Sequence, residues 1–525
     1  MMTQTLTSPP KPQTTYSLLT EPWIPVVYND SLKYKNISLQ DLFLEWENLK
    51  TVQGINPPRT IALWRWLIAF TQWSIQGTKT IDEWKQLWTD ENLGSRIIKR
   101  LETVKERLDL LHPDFPFGQC KDLREETKGK EPSPVSKILF QDKDSGLLWS
   151  KYSDQNPAFL SYAEAVQELL RLLCCDLGGT KSDSQDRSAQ TGICVMGRIV
   201  MPIGKNVKET LLLNLHQYSP QDDIPSIFPD QDKDLPLWER LNIKKQSRTI
   251  TGLLDYLTFP NRRVMLIHNG KSVTGVYLYK GEEFNQKDSY FWELWQAYIQ
   301  VKDESMPLKL KLDINKASWR DAEALLHPTT QDNHKPKIFD WLVKCRHTGC
   351  VPDPIPVQVL GFAHGSDLGK PLHWLHDTMT IPQVYLDSKE AYYKLVEGLK
   401  YAEKIGRLFS SKTYETVANG LKLSKKDKQK FINQLSTTAA IYWSALDSEF
   451  QQFMFELAED KVVDEEDEDD ITFGEIKIPE WKNKLKTIAT ECYEQSIAGI
   501  SSYEARARGL NAWYKELNKI LRNKP

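Results

Sequence analysis

The arrangement of apolar and polar positions changes several times along the chain, and each change predicts a different kind of element. Leu18 to Val27 is a short apolar run broken by prolines, which predicts an edge strand or extended arm. Ile37 to Leu44 predicts a helix opening at Ser38. Pro57-Pro58 then introduces Arg59 to Gln72, apolar on nearly every side of a helical wheel and carrying Trp64 and Trp66. A helix of that kind belongs in the centre of a core. Helical periodicity continues through Ile81 to Leu111. It gives way to a Pro- and aromatic-rich break from His112, followed by Lys121, Arg124, Lys128 and Lys130, where a solvated loop is the simpler reading. Ile138 to Tyr152 reads as a strand pair around Asp144-Ser-Gly146.

The stretch from Ser161 to His216 has the sharpest contrasts. Ser161, with Glu164 three residues on, has capping-box spacing and opens an amphipathic pattern to Cys175. Asp176 to Gly192 then has almost no apolar content, and Gly178-Gly179 gives its backbone unusual freedom. A loop is predicted there, between that helix and a Val/Ile/Met-rich return over Ile193 to Ile203. Gln217 to Gln246 is a long polar connection. His268-Asn-Gly-Lys271 is a tight turn between the apolar run ending at Ile267 and Ser272 to Tyr279, so Lys271 is expected at an exposed hairpin tip. Ala317 to Leu326 predicts a helix docking a Trp. Val357 to Phe362 predicts a strand that leads into a second glycine-bracketed loop, His364 to Lys370, before Leu372 and Trp374.

From Ser388 the pattern is helical, with segments near 388–411, 424–460, 479–500 and 502–521. The expected fold is a mixed α/β (α+β) domain over 16–380 followed by a four-helix bundle over 385–525, with a disordered leader over 1–15. A loop at 464–470 interrupts the bundle.

Charge changes this picture in one place. The 525 residues carry a net charge of -3, yet Asp464 to Asp470 is a run of seven acids, so the remainder is mildly basic at +4. That balance permits nucleic-acid contact without demanding it. No apolar run reaches membrane-spanning length and no signal core opens the chain, so a cytoplasmic protein without membrane contact is expected. The seven cysteines form no regular framework, which suits reduced thiols. Cys345, His347 and Cys350 make a weak half-site for zinc, and free thiols are the preferred reading. Gly197 to Asn206 superficially resembles a phosphate loop, but its glycines are too far apart and Asn206 stands where a magnesium-binding hydroxyl belongs. No ATPase, cofactor or metal is inferred. His364, His373 and His376 near Asp377 are the only candidate for catalysis, and a loop and helix end are the preferred setting for them.

Taken in order, several segments resemble one family, the large subunit (CasA family) of the type I-E CRISPR surveillance complex Cascade. They are Leu18-Leu-Thr-Glu-Pro-Trp-Ile-Pro-Val26, the Pro57-Pro58 helix, Leu160-Ser-Tyr-Ala-Glu-Ala165, the Gly-Gly loop closing on Lys208 to Leu215, and Leu257-Thr-Phe-Pro-Asn-Arg-Arg263. Trp319-Arg320 with Leu325-Leu326, and Ala505-Arg-Ala-Arg508 in the helical region, complete the set. The resemblance spans almost the whole chain. It implies a non-enzymatic subunit of an RNA-guided, antiviral DNA-binding assembly, in which pairing to the guide reads the target while this subunit reads a short flanking protospacer-adjacent motif (PAM).

In the family, a glycine-rich loop, a lysine finger and a wedge do that reading from the minor groove. Carried over, the glycine loop falls on Gly178, Gly179 and Thr180 with Lys181 as a phosphate contact, and the lysine finger on Lys271. The wedge falls on Gly365, Ser366, Asp367 and Leu368. A glutamine found at the wedge of some members is absent here, a departure that bears on which motif is read. Trp149 to Asp154 corresponds to a loop that contacts the crRNA 5′-end subunit and DNA. Lys425, Lys426 and Lys428, with Lys422 and Lys430, are candidates for backbone contact with the displaced strand. Implied partners are double-stranded target DNA, the crRNA-containing backbone, 5′-end and small subunits, and a helicase-nuclease recruited on target binding. Two other readings stay open: a structural scaffold that reads no motif, and an enzyme using the His364–Asp377 region.

Overall fold

The structure is a computed structural model that describes residues 14–139, 158–179, 181, 189–195, 197–218, 234–284, 293–302, 307–313, 315–328, 334–364, 371–410, 412–463 and 471–523. Among these residues the fold is mixed α and β, with short helices and small sheets up to Ile381 and helices beyond it. One continuous set of buried apolar side chains runs through both parts.

The Pro57–Ser74 helix is the centre, as its all-round apolar wheel predicts. Every residue from Pro57 to Trp73 is buried. Asn56 caps it by accepting from Arg59 N at 3.0 Å, and two prolines occupy its first turn, where a missing N–H costs nothing. Its two buried arginines are paired. Arg65 donates to Glu293 at 3.0 Å, and Arg59 donates to Glu168 of the Tyr162–Cys175 helix at 2.6 Å. That second helix carries the predicted capping box, with Ser161 N donating to Glu164 at 3.0 Å and Glu164 N donating back to Ser161 at 3.3 Å.

Three three-stranded antiparallel sheets surround the helices. One has Ile24–Tyr28 at its centre, between Tyr34–Ile37 and Leu49–Val52. The proline-marked run is therefore a central strand, not an edge. Its pairing with Leu49–Val52 begins at Val26, after Pro25, whose missing N–H thus removes no bond on that side. A second sheet holds the predicted hairpin, Arg262–His268 against Val273–Lys280. The third orders Pro371–Ile381, Ile355–His364 and Arg198–Pro202, so the return leg of the glycine loop runs into it.

The helical part departs from four uninterrupted segments. Lys389–Gly406, Lys412–Gly420, Lys425–Ser436, Thr438–Glu459, Lys477–Ile497 and Tyr503–Arg522 are its helices among the described residues. The pattern over 424–460 is broken at Thr437, where hydroxyls compete for helix carbonyls. Ser436 Oγ donates to Asn433 O at 2.8 Å and Thr437 Oγ1 to Gln434 O at 2.7 Å. Lys461–Val463 and Ile471–Phe473 form a hairpin flanking the acidic run, which lies outside the described residues. Trp319 joins the two parts: its ring stacks on Phe450 at 4.4 Å and its Nε1 donates to Asp447 at 2.8 Å. Arg320 beside it is paired with Glu403 and lies over Trp443. The predicted helix around Trp319 is a 3-10 turn, Ser318–Asp321, continued by Ala322–Leu325.

Candidate nucleic-acid interface

The glycine loop leaves the Tyr162–Cys175 helix at Asp176, whose backbone is already extended. Its two legs are tied together by backbone bonds, from Cys194 N to Cys174 O at 3.1 Å, Gly192 N to Asp176 O at 2.8 Å and Gly179 N to Ala189 O at 3.0 Å. Arg262 fastens both legs from below. Its Nε donates to Asp176 at 2.7 Å, while one terminal nitrogen donates to the carbonyls of Leu177 (2.7 Å) on the outgoing leg and Gln190 (2.8 Å) on the returning one. All of this is buried: Arg262 is 1% exposed and Asp176 is not exposed at all.

The glycines have separate reasons for being there. Gly179 has φ of +93°, a conformation that side chains resist, and an added Cβ would meet nothing within 4 Å. Gly192 is a packing glycine, since a Cβ there would lie 2.4 Å from Cys174 O. Among the described residues the loop thus leaves room at the Gly179 Cβ position and closes tightly at its base. Gly178 is buried, and Thr180 lies outside the described residues.

Lys181, expected as a phosphate contact, has internal partners. Its ammonium turns inward to Asp176 at 2.7 Å and Leu177 O at 2.6 Å, with its side chain 5% exposed. The cause is the buried Asp176 carboxylate, which attracts Arg262, Lys181 and, at 3.9 Å, Arg171. Arg171 also pairs with Glu168, so Arg59, Arg171, Lys181 and Arg262 face two carboxylates among the described residues. These charges form one buried network under the loop. Burial pushes Glu168 toward protonation, but Arg171 and Arg59 outweigh it and hold its carboxyl below the usual carboxylate value.

Lys271 stands at its hairpin tip as predicted. Asn269 accepts from Lys271 N at 3.0 Å and Ser272 N at 2.9 Å, and Gly270 supplies φ of +84°. Among the described residues its exposed ammonium has no hydrogen bond or ion pair. The tip is attached to the start of the glycine-loop helix, because Leu160 and Val273 exchange backbone bonds of 3.0 and 2.9 Å and Tyr162 Oη lies 3.4 Å from His268 Nδ1. Arg262, at one end of its strand, holds the loop, and His268, at the other, leads to the tip. Seven residues of strand separate them, roughly 20 Å.

The wedge hairpin is placed differently. Its flanking strands, Ile355–His364 and Pro371–Ile381, are fully paired, and Gly361 lies opposite Arg198 just beyond the glycine loop's return leg. Gly365, Ser366, Asp367 and Leu368 themselves, and the Trp149 to Asp154 loop, lie outside the described residues.

At the start of the Lys425–Ser436 helix, Lys425 and Lys426 are exposed and Lys428 is half-buried. Ser424 caps the helix, accepting from Asp427 N at 3.2 Å. Lysines here oppose the helix dipole, a small cost that an approaching phosphate would reverse.

Among the described side chains, His373 and His376 do not converge. His373 and His376 lie on a strand, not at a loop and helix end, opposite Ala363 and Leu360. Neighbouring His376 and Asp377 point to opposite faces because strand side chains alternate. His376 contacts Gln358 at 2.8 Å, and Asp377 accepts from Thr378 N at 2.8 Å. Cys345 is buried in a helix, and its thiol is pushed up to about 12 by burial and by Cys350. The thiols that do converge are Cys174, Cys175 and Cys194, whose sulfurs all lie within 4.8 Å of one another. Adjacent cysteines in a helix pattern gave only half of that signal, since Cys194 joins them through the fold. Arg262 was likewise unreadable as the loop's anchor, being 86 residues from Asp176.

With this geometry in hand, similarity to known proteins is informative. The family described as CRISPR-associated protein Cse1 matches residues 17–492. The CRISPR-associated protein CasA/Cse1 of Thermus thermophilus is 26% identical over 535 residues, covering 96% of this chain and 97% of its own. The crystal structure of Thermobifida fusca Cse1 superposes with a TM-score of 0.79 at 22% identity, covering 97% of this chain and 98% of its own. A chain from the structure of a CRISPR RNA-guided surveillance complex gives 0.76 at 20% identity, covering 96% and 99%. At these identities the structural matches establish the fold.

Proposed function

The chain belongs to the CRISPR-associated protein Cse1 family, and from that premise we propose that it is the large subunit of a type I-E Cascade complex that reads the protospacer-adjacent motif in double-stranded DNA. In this reading it starts strand separation for the R-loop, steadies the displaced strand and offers the docking surface for the recruited helicase-nuclease. It works with the crRNA-bearing backbone, the 5′-end subunit and the small subunits, and has no catalytic role of its own.

One observation carries the motif-reading part. Gly179, with φ of +93° and room at its Cβ position among the described residues, sits on a loop whose two legs are pinned by Arg262. A glycine with that room suits close approach to a groove floor. The wedge hairpin is the device for strand separation.

Lys271 has its own role in this proposal: exposed at its hairpin tip, its ammonium holds a phosphate. Lys425, Lys426 and Lys428 are backbone contacts for the displaced strand.

The test is gel-shift binding by Cascade lacking its large subunit, with and without this chain, on duplexes whose flanking sequence is randomised. Tightening that depends on the flank supports the proposal. Incorporation of the chain with no flank dependence would make it a scaffold.

A further inference from the structure

Cys174 and Cys175 end the glycine-loop helix, and Cys194 lies on the return leg, bound to Cys174 through the backbone. All three side chains are buried, at 2%, 0% and 0% exposure. The sulfurs of Cys174 and Cys175 are 3.6 Å apart, and the whole set fits within 4.8 Å. Three sulfurs around one ion at metal–sulfur bonds of about 2.3 Å would be spaced about 3.8–4.0 Å from one another. The observed spacing brackets that value, so coordination needs shifts below about one ångström.

Simple packing of apolar thiols is the competing explanation. It accounts for burial but not for three of the chain's seven cysteines meeting at one point from two legs of one loop. A disulfide between Cys174 and Cys175 is disfavoured, since adjacent Cα atoms about 3.8 Å apart fall below the usual disulfide span. Charge also fits. A divalent ion on three thiolates carries one negative charge, and Lys309 stands close by, its ammonium donating to Ile193 O at 2.6 Å, one residue before Cys194.

We propose that Cys174, Cys175 and Cys194 bind one thiophilic d10 metal ion, of the zinc or cuprous class, which staples the helix end to the return leg and so closes the base of the glycine loop. Each thiol gives its proton to solvent as its metal–sulfur bond forms, and no electron is transferred. Because the sulfurs are buried, the ion enters as the chain folds. The site concerns how the loop is held and stands whether or not that loop reads DNA.

The test is to unfold the full chain under reducing conditions with a chelator, refold it with zinc or with cuprous ion, desalt it and count the metal. The wild-type chain and a Cys350→Ser control are expected to retain one ion each, and Cys194→Ser and Cys175→Ser to lose it. The metal arm that loads identifies the ion class. Refolding the wild-type chain with cadmium gives a sulfur-to-cadmium charge-transfer band, a readout that needs no variant to fold. Absence of both retained metal and that band overturns the proposal. So does metal that survives in Cys194→Ser, or that is lost in Cys350→Ser.

Discussion

Arg262 and Asp176 meet at 2.7 Å in the interior, and through this contact a strand of one sheet holds the loop that follows a helix 86 residues earlier. Removing one partner of such a pair leaves the other charge buried and uncompensated. Asp176→Asn would leave Arg262, Lys181 and Arg171 facing one another, and is expected to cost about 3–5 kcal/mol. The denaturation midpoint of the isolated chain measures this. A loss under about 1 kcal/mol would mean that the pair does not anchor the loop.

Gly179 and Gly192 separate conformation from packing. Gly179→Ala strains a φ of +93° but meets no neighbour, so about 1 kcal/mol of stability is expected to be lost. Gly192→Ala places a methyl 2.4 Å from a backbone carbonyl that cannot give way cheaply, and should cost more, about 1–3 kcal/mol or above. Thermal unfolding of the two variants ranks them, and the reverse order contradicts the description of the loop.

Lys271→Ala in the assembled complex is expected to weaken duplex binding about equally for every flanking sequence and to reduce the salt slope by about one unit. A loss confined to particular flanks would place Lys271 on the motif itself.

His216 gives the fold a pH dependence of known sign. Burial, opposed by its hydrogen bond to the Gln217 carbonyl, lowers its pKa to about 4. Below the ordinary value of 6.5 the unfolded chain takes up a proton that the folded chain refuses. Stability from this group is therefore complete above pH 6.5 and is lost as the pH falls toward 4, by about 2 kcal/mol at about pH 5 and about 3 kcal/mol by about pH 4. Urea unfolding at about pH 7 and about pH 5 should show that loss in the wild type, and His216→Gln should flatten it.

What could be read from sequence follows from the range of the forces involved. The Pro57–Ser74 and Tyr162–Cys175 helices and the Lys271 hairpin are specified by neighbours: a cap, a capping box and an Asn-Gly turn. The break at Thr437 was hidden because apolar periodicity runs through it while two hydroxyls bend the backbone. Ile24–Tyr28 was misplaced at an edge because Pro25 precedes the pairing with Leu49–Val52 that it seemed to forbid. The anchoring of the glycine loop depends on contacts that no local pattern encodes. Asp176 read as the first residue of a polar loop, whereas it is the buried centre of four charges, and that is why Lys181 faces inward.

The central claim is that open backbone at Gly179 is what meets DNA, and its most direct measurement is flank-dependent binding by Cascade reconstituted with Gly179→Val. The account predicts that the variant joins the complex and that the preference for one flanking motif disappears, with affinity falling to that of Cascade lacking the subunit. Full motif preference in the Gly179→Val complex would contradict it.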